Sequence, residues 1–465
     1  MVVDLVALHA ANPKRYPYLL ESVATPEISE AIYGEGESEE REESWNILFA
    51  FPGETISSDS DDFLTSLDVG WREAAASLTS TVSPTTNSSI PFYGGWFLFL
   101  DYELAREIEP NSKLTSATTS KYNSSSYATR IPSAIIQNRA TGKIELVDEA
   151  ADKIRLQKMQ QDLDSLEVNL ATGNEKIVRG EIAEEPAESY LKSIDQIKKY
   201  IVEGDLFQAN LSRQWQAKLD KGASPHIIYQ KLRESNPAPF AGLALYNGTA
   251  IISSSPERLV RVKNRVAESR PIAGTHPRSA DKREDRELAN RLLAHPKEQA
   301  EHIMLIDLVR NDLGRVCKTG TVEVNEKMGL ESYTHVHHIV SNIRGELRDE
   351  VTPAEVIRAL FPGGTITGCP KVRCMEIIAE LEQQPRGAYT GSFGYLNHNG
   401  DMDLNILIRT LTMSLSTVAP STITLRAGAG IVYDSIPEKE LAESRAKAKG
   451  VLLALKSISL QEVVW

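Results

Sequence analysis

Apolar residues recur at helical spacing through much of the second half of the chain. In SYLKSIDQIKKYIVEG, Ile194, Ile197, Tyr200, Ile201 and Val202 fall on a pattern that predicts an amphipathic helix, with Gly204 as its stop. LFQANLSRQWQAKL follows and reads as a strand. AHPKEQAEHIMLIDLVRNDLG predicts a helix starting near Pro296 and ending at Gly314, and VRCMEIIAELE predicts another. The last helix is expected to begin at Ser435, which forms an S-x-x-E capping signature with Glu438, and to run through ELAESRAKAKGVLLALKS.

The first part of the chain is patterned differently. It holds an acidic run from Gly34 to Ser44, expected to be a solvated loop, and Ser/Thr-rich stretches near residues 77–89 and 114–126. Between these stretches PFYGGWFLFLDYELAREI predicts a buried strand leading into a short helix. A polar helix with spaced leucines over Glu149–Ala171 is expected to bridge to the rest. From Ser189 onward helices and strands alternate densely, and no repeat of fixed period is present. Pattern and punctuation thus divide the chain into an N-terminal region, 1–170, and a second region, 186–457, of mixed α and β.

Length and composition narrow the classes. With 465 residues and 41% hydrophobic content there is ample material for a large core. A net charge of −13 argues against nucleic acid or an anionic membrane as the main partner, so an anionic substrate would need a local basic pocket. The three cysteines, Cys317, Cys369 and Cys374, suggest reduced thiols and a cytoplasmic setting rather than a disulfide framework. No signal-peptide pattern opens the chain, and no segment approaches ~18 uninterrupted apolar residues.

Against that background FPGGTITGCPKVR, Phe361 to Arg373, is the most informative stretch. Its glycines permit close approach of an anion to main-chain N–H groups, and Lys371 and Arg373 could supply positive charge beside a helix N-terminus. It is not a nucleotide loop, because Cys369 and Pro370 separate Gly368 from Lys371. A tight strand-to-helix connection is the plainer reading.

Two helices each carry glutamates three residues apart, Glu298 with Glu301 and Glu440 with Glu443, each pair on one helix face. Convergence of the four would call for a cation, and an all-oxygen set suits Mg²⁺; a solvated surface is the alternative. Among His335, His337 and His338, neighbours on an extended segment point to opposite faces, so one inward histidine is expected rather than a zinc site. Arg409 closes the apolar run LNILIRTL, where it needs either a carboxylate partner or a substrate anion. Gly428 and Gly430 of RAGAGIVYDS are placed just after a strand, again allowing close approach of a ligand.

In order along the chain, SSSPERLVRV, RPIAGTHPR, KEQAEHIMLIDLVRNDLG, HHIVSNIRGEL, FPGGTITGCPKVRCMEII, GSFGYL, MDLNILIRTL and RAGAGIVYDSIPEKELAES resemble the chorismate-utilising enzymes. That family includes anthranilate synthase component I, aminodeoxychorismate synthase component I, and the isochorismate and salicylate synthases. The resemblance implies an α+β fold of two facing, mostly antiparallel β-sheets with helices outside. It implies Mg²⁺ held directly by Glu301 and Glu443, with Glu298 and Glu440 acting through water, and Lys447 facing the same site. It implies Tyr389 and Arg409 on the enolpyruvyl carboxylate of chorismate, assisted by the backbone at Gly428 and Gly430. Glu257 matches the general acid for the leaving C4 hydroxyl, His338 a residue near the ring, and Gly274 and Thr275 the pocket-lining loop. Lys371 would add to the pocket's positive field.

Members that add water place a lysine where this chain has Gln208, so Gln208 favours the two ammonia-using members, with ammonia supplied by a separate glutamine amidotransferase subunit. Between those two, NPAPFAG, FPGGTITG and GSFGYL lean to aminodeoxychorismate synthase. Ala273, where many such enzymes carry a covalent lysine, and LLES at Leu19–Ser22 lean to anthranilate synthase. A non-catalytic chorismate-binding regulator would lack the acid and metal carboxylates, and all are present.

Overall fold

The computed structural model describes residues 3–24, 27–28, 44–58, 62–78, 90–115, 125–166, 177–279, 281–333, 336–415 and 421–456. His335, and most of the acidic run and of the two Ser/Thr-rich stretches, lie outside the described residues.

Among the described residues, two antiparallel sheets of eleven strands each form the body. In the first, the central strands run in the order Gln208–Leu219, Thr422–Ile431, Thr410–Ser414, Thr249–Ser255, Phe240–Tyr246, Tyr18–Glu21 and Trp45–Ala50. In the second, Glu323–Ser332, Val336–Glu346, Val266–Ser269, Arg258–Lys263, Met402–Asn405, Ser392–Asn397 and Gly95–Leu100 are consecutive neighbours. The two regions distinguished in the sequence share both sheets: Tyr18–Glu21 pairs with Phe240–Tyr246, and Gly95–Leu100 pairs with Ser392–Asn397.

The two-residue period of a strand explains the layering. On Trp45–Ala50, Ile47 and Phe49 pack between the sheets with Phe97, Tyr127 and Phe393, whereas Leu48 and Ala50 pack outward towards the helical cover. Tyr18 of the first sheet stacks on Phe97 of the second with centroids 4.0 Å apart. Helices Pro225–Ser235 and Pro437–Leu455 cover the outer face of the first sheet, and Phe63–Leu78, Pro296–Gly314 and Pro353–Leu360 that of the second. This is the α+β arrangement of facing sheets expected from the sequence.

Helix Pro296–Gly314 has the predicted bounds, and the helix predicted to stop at Gly204 spans Ala187–Val202. Three expectations need correction. The bridging helix is shorter than Glu149–Ala171, running Lys153–Asp164, because Asp152 caps its first turn by accepting from Ile154 and Arg155 N–H. Ser435 does not cap the last helix, which starts at Pro437 after Ile436; the Ser435 hydroxyl instead accepts from Val432 N–H at 3.1 Å. Gly428 and Gly430 lie inside strand Thr422–Ile431, not after it.

Candidate active site

The first sheet brings the predicted glycines beside Gln208 on its inner face. Strand Gln208–Leu219 pairs with Thr422–Ile431 so that Asn210 opposes Gly430 and Ser212 opposes Gly428. Ala209, Leu211, Ala429 and Ile431 turn outward into a core with helices Ala187–Val202 and Lys371–Glu382. By strand alternation Gln208, Asn210, Gly428 and Gly430 therefore share the opposite face. A Cβ on Gly430 would come 2.4 Å from Gln208 Nε2, and one on Gly428 would come 2.1 Å from Leu211 O. Glycine thus forms a floor without side chains, beside an amide on the neighbouring strand.

The glycine-rich loop holds that amide in place. Gly368–Cys369 adds a short strand against Gln208 and Ala209. Phe207 N–H donates to Cys369 O at 2.8 Å, Asn210 N–H to Thr367 O at 2.9 Å, and the Cys374 thiol to Gln208 O at 3.1 Å. The expected positive field from the loop is not there. Lys371 Nζ is bound to Asp312 Oδ2 at 2.6 Å, and Arg373 is paired with Asp205 and Glu376. Salt bridges to three carboxylates neutralise the two cations, so the loop is a buttress for Gln208 rather than an anion cradle.

The cation of the site is Arg409. Its guanidinium makes no hydrogen bond or ion pair among the described residues, and desolvation lowers its pKa. Its backbone sits at φ 51°, a region that non-glycine residues seldom adopt and that costs about 1–3 kcal/mol. No carboxylate partner is present among the described residues, which leaves the structural ion pair without support as an explanation. Arg409 in turn bears on His338, whose pKa is driven down to about 3 by burial and then by the Arg409 charge. His338 is consequently neutral and shares a 2.9 Å hydrogen bond between Nδ1 and Thr275 Oγ1. His337, on the opposite face of the same strand, is taken up by Ser332 and Asp285.

Glu257 is buried, and burial pushes its pKa up to about 7 against the opposing influence of Thr365, Ile272 N–H and Lys447. Its Oε1 has no hydrogen-bond partner among the described residues. Thr365, which sequence reasoning did not single out, stands close enough to influence Glu257, yet its own hydroxyl is buried without a partner in good geometry. Its only sequence signal was a threonine between the glycines of the loop. Gln208 Oε1 is likewise buried and has no partner among the described residues. Tyr389 is buried, its hydroxyl has no partner among the described residues, and burial raises its pKa to about 12.

The four helix glutamates are less concentrated. Gly274, at φ +66°, is packed under Glu298, whose Oε2 lies 2.9 Å from where a Cβ would be. Glu301 lines a 340 Å³ pocket with Phe207 and Tyr433. Glu440 is buried, and Glu443 is half-exposed and pairs with Lys447 at 2.8 Å. Among the described residues no group of three or more His, Cys, Asp or Glu side chains is gathered to hold a metal ion. The donor chemistry suits a hard cation, but the side-chain positions do not form the expected four-carboxylate cluster.

A glycine floor, an arginine without a partner among the described residues, a protonatable buried glutamate and a neutral histidine are groups whose chemistry suits a small carboxylate substrate. The family model for chorismate binding enzymes matches residues 31–453, and the chain belongs to that family. It is 42% identical over 378 residues to an anthranilate synthase component I-like protein of Synechocystis, covering 79% of this chain and 74% of that protein. It is 40% identical over 385 residues to aminodeoxychorismate synthase component 1 of Bacillus subtilis, covering 81% and 80%. The structure of anthranilate synthase component I from Streptococcus pneumoniae superposes with a TM-score of 0.72 at 28% identity, covering 91% of this chain and 95% of that one. The menaquinone-specific isochorismate synthase of Escherichia coli also gives 0.72, at 17% identity over 98% and 92%, a likeness of fold alone. No helix among the described residues is long and apolar enough to cross a membrane.

Proposed function

We propose that this chain is an aminodeoxychorismate synthase component I, converting chorismate and ammonia to 4-amino-4-deoxychorismate for 4-aminobenzoate and folate biosynthesis. The observation that carries the ammonia assignment is Gln208, an amide beside the glycine floor where the water-adding members have a lysine. An amide cannot take a proton from water, whereas neutral ammonia is already a nucleophile. The match to the Bacillus subtilis aminodeoxychorismate synthase over most of both chains supports the product.

Arg409 and Tyr389 bind the enolpyruvyl carboxylate, with the Gly428 and Gly430 backbone beneath it. Glu257, protonated up to about pH 7, gives its proton to the departing C4 hydroxyl, which leaves as water. Ammonia forms the new C–N bond and gives up a proton, which returns to the Glu257 carboxylate. Neutral His338, Thr275 and Gly274 line the ring side, and Lys447 lies at the edge. Mg²⁺ is the proposed cofactor: Glu301 and Glu443 would hold it, with Glu298 and Glu440 acting through water, once these side chains converge on it, and it would supply a hard Lewis acid for the ring carboxylate. Ammonia comes from a glutamine amidotransferase partner subunit. Three free cysteines support a cytoplasmic setting.

Anthranilate synthase is the second reading, favoured by Ala273, which is buried opposite Ile339 and offers no nucleophile. Incubation with chorismate, ammonium and Mg²⁺ separates the two. An amino-substituted ring that retains its enolpyruvyl group is the expected product; anthranilate with pyruvate would establish the second reading. Glu301→Gln should abolish Mg²⁺-dependent turnover, and unchanged turnover would refute the metal assignment.

A further inference from the structure

Tyr389 lies on a turn, Arg386 to Gly391, whose shape is unfavourable for a free chain. Gly387 has φ 58°, and Thr390, a β-branched residue, has φ 62°. Such a turn persists only where its surroundings over-determine it. Part of that restraint is local: Tyr389 N–H donates to Arg386 O at 3.1 Å, and Thr390 N–H donates to Leu407 O at 2.8 Å.

The rest comes from the far end of the chain. Glu103 is buried in the segment after strand Gly95–Leu100, and its carboxylate accepts from two successive N–H groups of the turn. Oε1 accepts from Arg386 at 2.9 Å and Oε2 from Gly387 at 3.0 Å. The neighbouring Tyr102 N–H donates to Gly387 O at 2.9 Å, so the turn is gripped at both a carbonyl and two amides. The Arg386 guanidinium is then sandwiched, 4.8 Å from the Tyr102 ring centroid and 5.5 Å from that of Tyr389. It also donates to Asn210 O at 2.7 Å, tying the turn to the strand that carries Gln208.

We propose that Glu103 is a positioning residue for the substrate, acting through the Arg386–Gly391 turn to fix the Tyr389 hydroxyl. It touches no substrate itself, and the inference rests on the reading of Tyr389 as a carboxylate contact. It gives the N-terminal region a part in chorismate binding that its distance in sequence from every other site residue conceals.

The test is a cycle of four proteins: the parent, Glu103→Gln, Tyr389→Phe and the double variant, each assayed for chorismate KM and kcat at saturating ammonium. Glutamine keeps the size of the side chain and one acceptor, but sets an NH₂ against the second N–H. Glu103→Gln should raise KM about tenfold with kcat within about twofold, and should add nothing once Tyr389 is phenylalanine. An equal rise in both backgrounds, or a folded Glu103→Gln protein with parental KM, would overturn the proposal. A Tyr389→Phe protein with parental KM would instead show that Tyr389 is no substrate contact, and the proposal falls with that reading. Should Glu103→Gln not fold, Glu103→Asp carries the same comparison; failure of both to fold would make the residue purely structural and overturn the proposal.

Discussion

Two buried arginine environments in this protein differ in one respect. Arg386 and Arg426 converge on Glu382, at 2.7 and 2.9 Å, and Ser212 N–H and hydroxyl add their own bonds to the same carboxylate. Burial alone would raise the Glu382 pKa, but the two guanidinium groups outweigh it and hold it below the usual range. Arg409 has nothing of the kind. A buried cation with a complete set of partners does its work in the folded protein by itself. One that is desolvated and alone costs stability until an anion arrives. The contrast separates framework from site more sharply than burial does, since both are withdrawn from water.

The comparison can be broken by substitution. The largest effect expected is on the acid: Glu257→Gln should lower kcat about 10³-fold while leaving the thermal unfolding midpoint at or above the parent's. A turnover loss below tenfold would remove Glu257 from the chemistry. Glu382→Gln should act the other way, costing about 3 kcal/mol in denaturant unfolding because two arginines lose their shared charge. Arg409→Met should lower kcat/KM for chorismate about 10²-fold without lowering stability, since it deletes a lone desolvated charge. If Arg409→Met unfolded as readily as Glu382→Gln, the two environments would not differ in kind.

A smaller effect follows from protonation. On the proposed reading Glu257 is an acid only while it holds its proton, so kcat should fall about tenfold per pH unit above about 7, and Glu257→Gln should lack that limb. The stability linkage has the matching sign. The folded pKa, about 7, lies above the ordinary 4.5, so the folded protein binds a proton the unfolded chain has released. Its contribution to stability is complete below pH 4.5 and is lost as pH rises towards 7. The slope of the unfolding midpoint across that window should flatten in Glu257→Gln.

Much of the architecture was legible because its signals are local. Helix Pro296–Gly314 carries its proline and glycine boundaries within its own sequence, and strand Gln208–Leu219 opens with a run that alternates outward apolar and inward polar residues. The candidate site residues were drawn from motif order, as with Glu257, Arg409 and Gly430. What escaped was set by distant partners. Lys371 looked like a pocket cation because nothing near it in sequence reveals Asp312. Ser435 matched a capping pattern, yet its hydroxyl was taken by Val432 N–H and the helix began two residues later. Glu103 carried no signal at all, since its partners lie almost three hundred residues away.

The shared sheets also set a timetable for synthesis. Tyr18 leaves the ribosome more than two hundred residues before Ala244, the neighbour it pairs with. At about 5–20 residues per second the early strand waits roughly 10–45 s with one edge unpaired. Gly95–Leu100 waits longer still for Ser392–Asn397. A nascent chain of this design exposes two apolar strand edges while the hundreds of residues between the partners are made, so its yield in a cell should depend on how well holding chaperones cover them before the later strands emerge.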